Sequence, residues 1–344
     1  MQTDVLEHPA VKAWSKLQPD RIEPEGIEML DKRKRAWLRF QPEWLKSEIM
    51  ESLQERKVVY RLKGVGPEGS VVIAKQCEQG AGITERAIYK EILFCLPVPT
   101  PRYYGFVEEP DGAFCWLFLE DAGTEWCSPD ISEHRALAAH WLGLMHTSAA
   151  HVASKARLPD RGPDHYLRHL QLARDRIQRT KLNLAALRPD DVTVLESIVS
   201  RFDVLEGCWS KVERFCDSMP KTLIHGDFQG KNMRIRHDQS GIALLPFDWE
   251  MSGWGAPAAD LRQQVDLAIY WSVVRQFWPH LEVWDIQRMA NLGRVFWELG
   301  TISWKSWPLE CEHLGYETFK ATVLTLKSCE GRLADAMRAT IPED

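Results

Sequence analysis

No apolar run in this 344-residue chain approaches the ~18 residues of a membrane-spanning helix, so no membrane span is expected. The opening stretch, Met1 to His8, has neither the positive charge nor the apolar run of a signal peptide. None of the eight cysteines belongs to a C-x-x-C pair or a tight cluster, which argues against a zinc site. They lie mostly in apolar surroundings, so reduced thiols in a cytoplasmic protein are the expectation. A basic excess is missing too: the net charge of −6 disfavours general nucleic-acid binding. No internal repeat or low-complexity segment is present. What is left, 44% hydrophobic and 27% charged residues, is an ordinary soluble globular composition, long enough for two domains.

Against that background one stretch stands out. Residues 225–232 read His225-Gly226-Asp227-Phe228-Gln229-Gly230-Lys231-Asn232, and Asp248-Trp249-Glu250 follows 21 residues after Asp227. Lys221 to Ile224 is short, β-branched and apolar, the pattern of a buried strand entering a turn at Gly226. Asp227 then sits on a loop at a strand end, with Asn232 at the Asp-to-Asn offset of the kinase loop H-R-D-x-x-x-x-N. Met233–Arg236, a turn at 238–241 and Ile242–Phe247 predict a β-hairpin, whose closure places Asn232 and Asp248 side by side. An amide oxygen and a carboxylate are hard ligands suited to Mg²⁺, and Asp227 can take or orient the proton of an attacking hydroxyl. Either half alone reads as an ordinary turn and a strand-end cap; the correct spacing of both argues for phosphoryl transfer.

HGDFQGKN followed by FDWE resembles the aminoglycoside phosphotransferase and choline kinase-like superfamily of ATP-dependent small-molecule kinases. The resemblance implies an α+β, two-lobed, protein-kinase-like fold, with a small β-rich nucleotide lobe and a larger, mainly helical lobe. It implies Asp227 as catalytic base and Asn232 and Asp248 as magnesium ligands. Asp260-Leu261 resembles the family's Asp-Leu that braces the catalytic loop; the plain reading is a helix N-cap, and the two roles are compatible. Upstream, Ser70 to Lys75 is a strand ending in lysine, close to the kinase V-A-I-K pattern, and Lys75 is expected on the nucleotide phosphates. Family spacing before Leu96-Pro97-Val98-Pro99 selects Glu85 as its partner, with Glu91 as runner-up. Trp116 to Asp121 resembles the interlobe linker, where main-chain groups such as those of Leu119 and Asp121 read the adenine edge. His146, in a helix from about His134 to Ala149, is read as structural.

The glycines depart from the kinase pattern. Only one strand separates Gly69 from Lys75, so Val58–Leu62 and Ser70–Lys75 read as a hairpin with its tip at Gly66–Gly69. The phosphate-covering turn then falls near Glu51 to Lys57, which holds no glycine; Arg56 or Lys57 are basic candidates there. Expected boundaries are an extension or extra small-lobe elements over 1–45, a nucleotide lobe with linker over 46–121, and a catalytic and acceptor lobe over 122–344. A short helix is expected near Val11–Leu17. In the large lobe Pro189 opens a helical pattern through Val192, Leu195, Val199, Phe202, Leu205, Trp209, Val212 and Cys216, ended by Pro220.

Asp31 to Lys75 carries eleven Lys/Arg against six Asp/Glu, including Lys32-Arg33-Lys34-Arg35, whereas Trp249 to the end carries nine against thirteen. A basic small lobe suits a triphosphate and an acidic large lobe a cationic acceptor, although solvated surface is the simpler explanation of each. Of fifteen tryptophans, Trp271, Trp278, Trp297, Trp304 and Trp307 are candidates to line the acceptor site, with core packing the simpler role for any one. The expected activity is transfer of the γ-phosphate of ATP, with GTP as the alternative, to a hydroxyl of an amino sugar, aminoglycoside-like antibiotic or amino alcohol. A nucleotide-binding pseudokinase scaffold is the second reading. A protein kinase is the third, disfavoured because eleven residues between Asp248 and Asp260 cannot form an activation loop and no A-P-E motif follows.

Overall fold

The structure, a computed structural model, describes residues 27–29, 59–62, 64, 66–109, 112–152, 157–183, 188–239, 241–262, 265–311 and 316–340. The expected helix near Val11–Leu17, the Lys32–Arg35 patch and the phosphate-covering turn near Glu51–Lys57 lie outside these residues. Two compact units are formed. One holds the described residues of Met1–Cys127, Lys155–Arg157 and Gln229–Met251; the other holds those of Ser128–Ser154, Leu158–Phe228 and Ser252–Asp344. The sequence reading set boundaries after residues 45 and 121. Packing carries the described residues of the first unit to Cys127 and adds the Gln229–Met251 segment to it. The reason is hydrogen bonding: β6 (Glu125–Trp126) pairs with β8 (Met233–Asp238), which pairs with β9 (Gly241–Pro246).

The first unit is built on a five-stranded antiparallel sheet in the order β1-β2-β3-β5-β4, with β1 Ile27–Met29, β2 Val59–Leu62, β3 Val72–Glu78, β4 Tyr103–Glu108 and β5 Phe114–Glu120. The expected β2–β3 hairpin is present, with Val59 opposite Lys75 and Leu62 opposite Val72. Its tip is a single 3-10 turn over Pro67–Gly69, closed by Gly66 N–H donating to the Ser70 carbonyl at 2.9 Å. Helix α1 (Gln79–Ala87) follows β3 directly and runs on as a wider turn through Ile92. Burial of Tyr60, Leu62, Val72, Ala74, Leu117 and Phe118 supplies the sheet's hydrophobic support.

The second unit is mainly helical. Helix α2 (Ser132–Val152) buries Ala138, Trp141, Leu142, Met145 and Ala149, the 3-and-4 spacing of one helix face. Then come α3 (Pro163–Asn183), α4 (Pro189–Gly207) and α5 (Trp209–Asp217). The pattern that read as one amphipathic run from Pro189 is thus two helices, because the backbone leaves helical geometry at Cys208 (φ −108°, ψ 12°). Ile198, rather than Val199, is the fully buried residue of its third turn. β7 (Thr222–Ile224) pairs antiparallel with β10 (Gly253–Gly255), and α6 (Leu267–Val274), α7 (Val283–Lys305) and α8 (Tyr316–Thr340) complete the unit.

One close approach fixes the region that matters for chemistry. Gly293 of α7 lies against the turn Pro257–Asp260, where an added Cβ would overlap the carbonyl oxygens of Ala258 and Leu261. Gly293→Ala is therefore expected to destabilise the protein by about 1–3 kcal/mol, as overpacking against a rigid backbone does. Denaturant unfolding would check this, and a loss below ~0.5 kcal/mol would mean that the turn gives way freely.

Candidate active site

In the first unit, β3 carries Lys75 into a buried position where its ammonium forms ion pairs with Glu85 of α1 and, at 2.6 Å, with Asp248 Oδ1. Glu85 is fully buried; Glu91, the other candidate partner, is exposed. Burial pulls the Lys75 pKa down, but Glu85, Asp248 and Glu250 outweigh it and hold the group well above its ordinary value. Lys75 therefore stays charged across the physiological range. The carboxylates of Glu85, Asp248 and Glu250 lie within 4.8 Å of one another. Three carboxylates against one ammonium leave a local charge of about −2, which a divalent cation would balance.

The hairpin supplies Asn232 and Asp248. Met233 is opposite Pro246, and the Phe247 N–H donates to the Asn232 carbonyl at 3.0 Å, so the residues flanking the hairpin meet at one end of it. Asn232 is buried in the turn Gly230–Asn232. Asp248, one residue beyond the last ladder bond, has φ +72°, a left-handed conformation that few non-glycine residues adopt. All donors here are carboxylate or amide oxygens, the set that Mg²⁺ takes, so Asp248, Asn232 and Glu250 could hold that ion.

The linker keeps much of its hydrogen bonding internal. Leu119 is buried and paired with both neighbouring strands, opposite Ile73 and Tyr103. The Asp121 carboxylate accepts from Arg61 Nε at 2.8 Å and from the Gly123 N–H at 3.0 Å, and its carbonyl accepts from Arg236 at 2.8 Å. Nearby, the Arg234 guanidinium lies 3.3 Å from the ring centroid of Trp126 and 4.9 Å from that of Phe247.

In the second unit, buried β7 delivers the Asp227 loop. Gly226 has φ +77°, which glycine adopts without cost and which turns the chain so that Asp227 leaves the strand end. Asp260, almost fully buried, accepts from the main-chain N–H of His225 at 2.6 Å and of Gly226 at 2.8 Å. Burial alone would raise its pKa; hydrogen bonds and charge from His146 and His225 hold it below the ordinary value. His146 links Asp260 (3.3 Å) to the Tyr270 hydroxyl (2.9 Å), a structural position like the one expected for it. The helix-cap reading of Asp260 does not apply: Asp266 caps α6, accepting from Ala268 and Ile269 N–H at 3.0 Å each.

Two arginines beside this loop were missed in the sequence. Arg262 reaches Asp227 Oδ1 at 4.0 Å, with its face on Trp297 at 3.5 Å. Arg161 donates to the Ser252 carbonyl at 3.3 Å, and the Ser252 hydroxyl donates to the His225 carbonyl at 2.9 Å. No local motif marks either arginine. Among the five candidate tryptophans, Trp297 is the one stacked beside Asp227; Trp278 is buried, Trp271 donates to the Leu281 carbonyl, and Trp304 is 76% exposed.

Known structures resemble this arrangement at the level of fold. A choline kinase from Cryptosporidium parvum Iowa II matches with a TM-score of 0.54 and 13% identity, covering 94% of this chain and 93% of that one. A GDP complex of an aminoglycoside 2'-phosphotransferase IIIa mutant gives 0.55 and 13%, covering 85% and 98%. A microcompartment-associated aminopropanol kinase gives 0.52 and 12%, covering 85% and 97%. The fold is thus the α+β, protein-kinase-like one that the sequence resemblance implied. No curated protein matches the chain by sequence. The profile described as the phosphotransferase enzyme family matches residues 65–287, well over half of the sequence, and the chain belongs to that family.

Proposed function

We propose that this phosphotransferase moves the γ-phosphate of ATP, with Mg²⁺, to a hydroxyl of a small molecule. The observation that carries the reading is Lys75, fixed between Glu85 and Asp248 beside a cluster of carboxylates with a charge deficit. Lys75 holds the nucleotide phosphates, Glu85 positions Lys75, and the main chain at Leu119 and Asp121 meets the base. Asn232 and Asp248 would hold a magnesium ion, which would neutralise phosphate charge there. Asp227 accepts the proton of the acceptor hydroxyl as its oxygen bonds to the γ-phosphorus; the bridging P–O bond breaks and ADP leaves. Asp260 keeps the Asp227 loop in place through its two main-chain bonds. The chain's cysteines are free thiols, in keeping with a reducing cytoplasm as its place of action. No described helix is long and apolar enough to cross a membrane.

A coupled ADP-release assay over sugars, aminoglycosides, amino alcohols and hydroxy acids tests the reaction type. Turnover of at least one hydroxyl compound is expected, whereas Mg·ATP binding without any turnover would favour the scaffold reading. Asp248→Ala is expected to weaken Mg·ATP binding by at least ~10-fold, since it removes a charged ligand and one of the partners of Lys75. Unchanged binding by calorimetry would remove Asp248 from the metal-holding role.

A further inference from the structure

Charge of both signs reaches the Asp227 loop from the segment 260–262. Asp260 accepts from the main-chain N–H groups of His225 and Gly226, on the N-terminal side of Asp227. On its C-terminal side, Arg262 Nη2 lies 3.5 Å from the Phe228 carbonyl oxygen, a long hydrogen bond, and 4.0 Å from Asp227 Oδ1. The pair with Asp227 is the one ion pair that Arg262 forms among the described residues. Asp260 and Glu298 also act on the guanidinium, from beyond ion-pair distance. Their own hydrogen bonds are made elsewhere: Asp260 to the loop N–H groups and His146, Glu298 to Arg332 at 2.7 and 3.1 Å.

The Arg262 side chain is nine-tenths buried and is held from behind by an aromatic plate, the Trp297 ring, whose centroid lies 3.5 Å from the guanidinium carbon. Gly293 and Trp297 stand one turn apart on one face of α7. The close approach of Gly293 to the Ala258 and Leu261 carbonyls therefore sets the depth at which the indole meets Arg262. Burial disfavours the charge and Asp227, Asp260, Tyr166 and Glu298 support it; a guanidinium stays charged in such surroundings. Its Nε is buried with no hydrogen-bond acceptor among the described residues. The two-bonded carboxylate pair that best satisfies a buried arginine is thus not made, and an unmet donor costs stability. A local cost of this kind is characteristic of a residue kept for function.

We propose that Arg262 is a positioning residue for the base: its charge holds the Asp227 carboxylate in one orientation, and Trp297 holds Arg262. The proposal rests on the phosphotransferase reading, with Asp227 as the base. At 4.0 Å the guanidinium attracts the carboxylate without hydrogen-bonding to it. Orientation is gained without engaging the lone pair that an incoming proton needs. Together with the bonds of Asp260, the contact to the Phe228 carbonyl grips the loop on both sides of the base. The gain is large in rate terms, because a reacting group displaced by ~1 Å loses up to ~10²-fold.

A double-mutant cycle on the full chain, read as kcat for an accepted hydroxyl compound at saturating Mg·ATP, separates positioning from packing. Arg262→Met is expected to lower kcat by ~10- to 100-fold, with acceptor KM and Mg·ATP affinity within about threefold of the parent. In the Asp227→Asn background the same substitution should change kcat by less than about threefold, because the carboxylate it acts through is gone. Arg262→Lys, which keeps the charge without the planar fork, should recover part of the loss. Equal losses in the two backgrounds, or an Arg262→Met enzyme as fast as the parent, would overturn the proposal. Should Arg262→Met fail to fold by circular dichroism, Arg262→Gln takes its place in the cycle and is judged alike. It keeps a donor for the Phe228 carbonyl and lacks the charge. If no organic acceptor turns over, slow phosphate transfer to water serves as the readout of the same cycle. Absence of ADP release even then, or a fully active Asp227→Asn enzyme, removes the parent reading and the proposal with it. Additive losses in a working enzyme remove the proposal alone.

Discussion

Asp227→Asn is expected to lower kcat by ~10²–10⁴, about 3–5 kcal/mol in the barrier, while Mg·ATP affinity stays nearly the same. The variant keeps the size and one acceptor oxygen of the side chain but cannot take a proton. The residue stands outside the Lys75 carboxylate cluster, which comprises Glu85, Asp248 and Glu250, so nucleotide binding has no reason to follow turnover down. Steady-state kinetics with an accepted hydroxyl compound, beside calorimetry with Mg·ATP, reads both quantities. Turnover within tenfold of the parent protein would take the base role away from Asp227.

Asp260→Ala should be the most damaging single change to the fold. It strips the acceptor from two main-chain N–H groups and from His146 in a site closed to water. Unsatisfied buried groups cost ~1–3 kcal/mol each, so a loss of roughly 3–5 kcal/mol is expected, together with loss of activity through a loosened Asp227 loop. Asp260→Asn should recover part of it. The same carboxylate gives the protein an acid limit. Its folded pKa lies below the ordinary 3.8, so its stabilisation is complete above that value and is lost as pH falls through the lower, folded one. Acid unfolding monitored by circular dichroism should therefore shift upward in pH for Asp260→Asn; an unshifted midpoint would mean that other carboxylates set the limit.

How much of this could be read from the chain alone follows from the range of each interaction. Asn232 and Asp248 are separated by fifteen intervening residues, and the alternation of Met233, Ile235, Leu244 and Pro246 sets the pairing of the hairpin between them. Lys75 and Glu85 lie on consecutive elements, so a strand–helix spacing was enough to find them. The break at Cys208 was missed because hydrophobic period continues through it while the backbone does not. Arg262 and Trp297, Arg161 and Ser252 meet only after distant segments pack, and each of these residue types alone is ordinary on a helical surface. Glu250, two residues from Asp248, was written in the motif but became a candidate ligand only when the carboxylates were seen to converge.

The torsion at Asp248 narrows what this position can ever become. A side chain held at φ +72° pays ~1–3 kcal/mol unless it is glycine, with Asn and Asp best able to tolerate it. A glutamate there would carry the same charge on a longer arm, yet the backbone would resist it before chelation was even at stake. Drift at this site is thus channelled toward Asn or Gly, neither of which brings a charge. The hinge-like bend of a single residue makes the anion at the hairpin's end irreplaceable by its nearest chemical cousin.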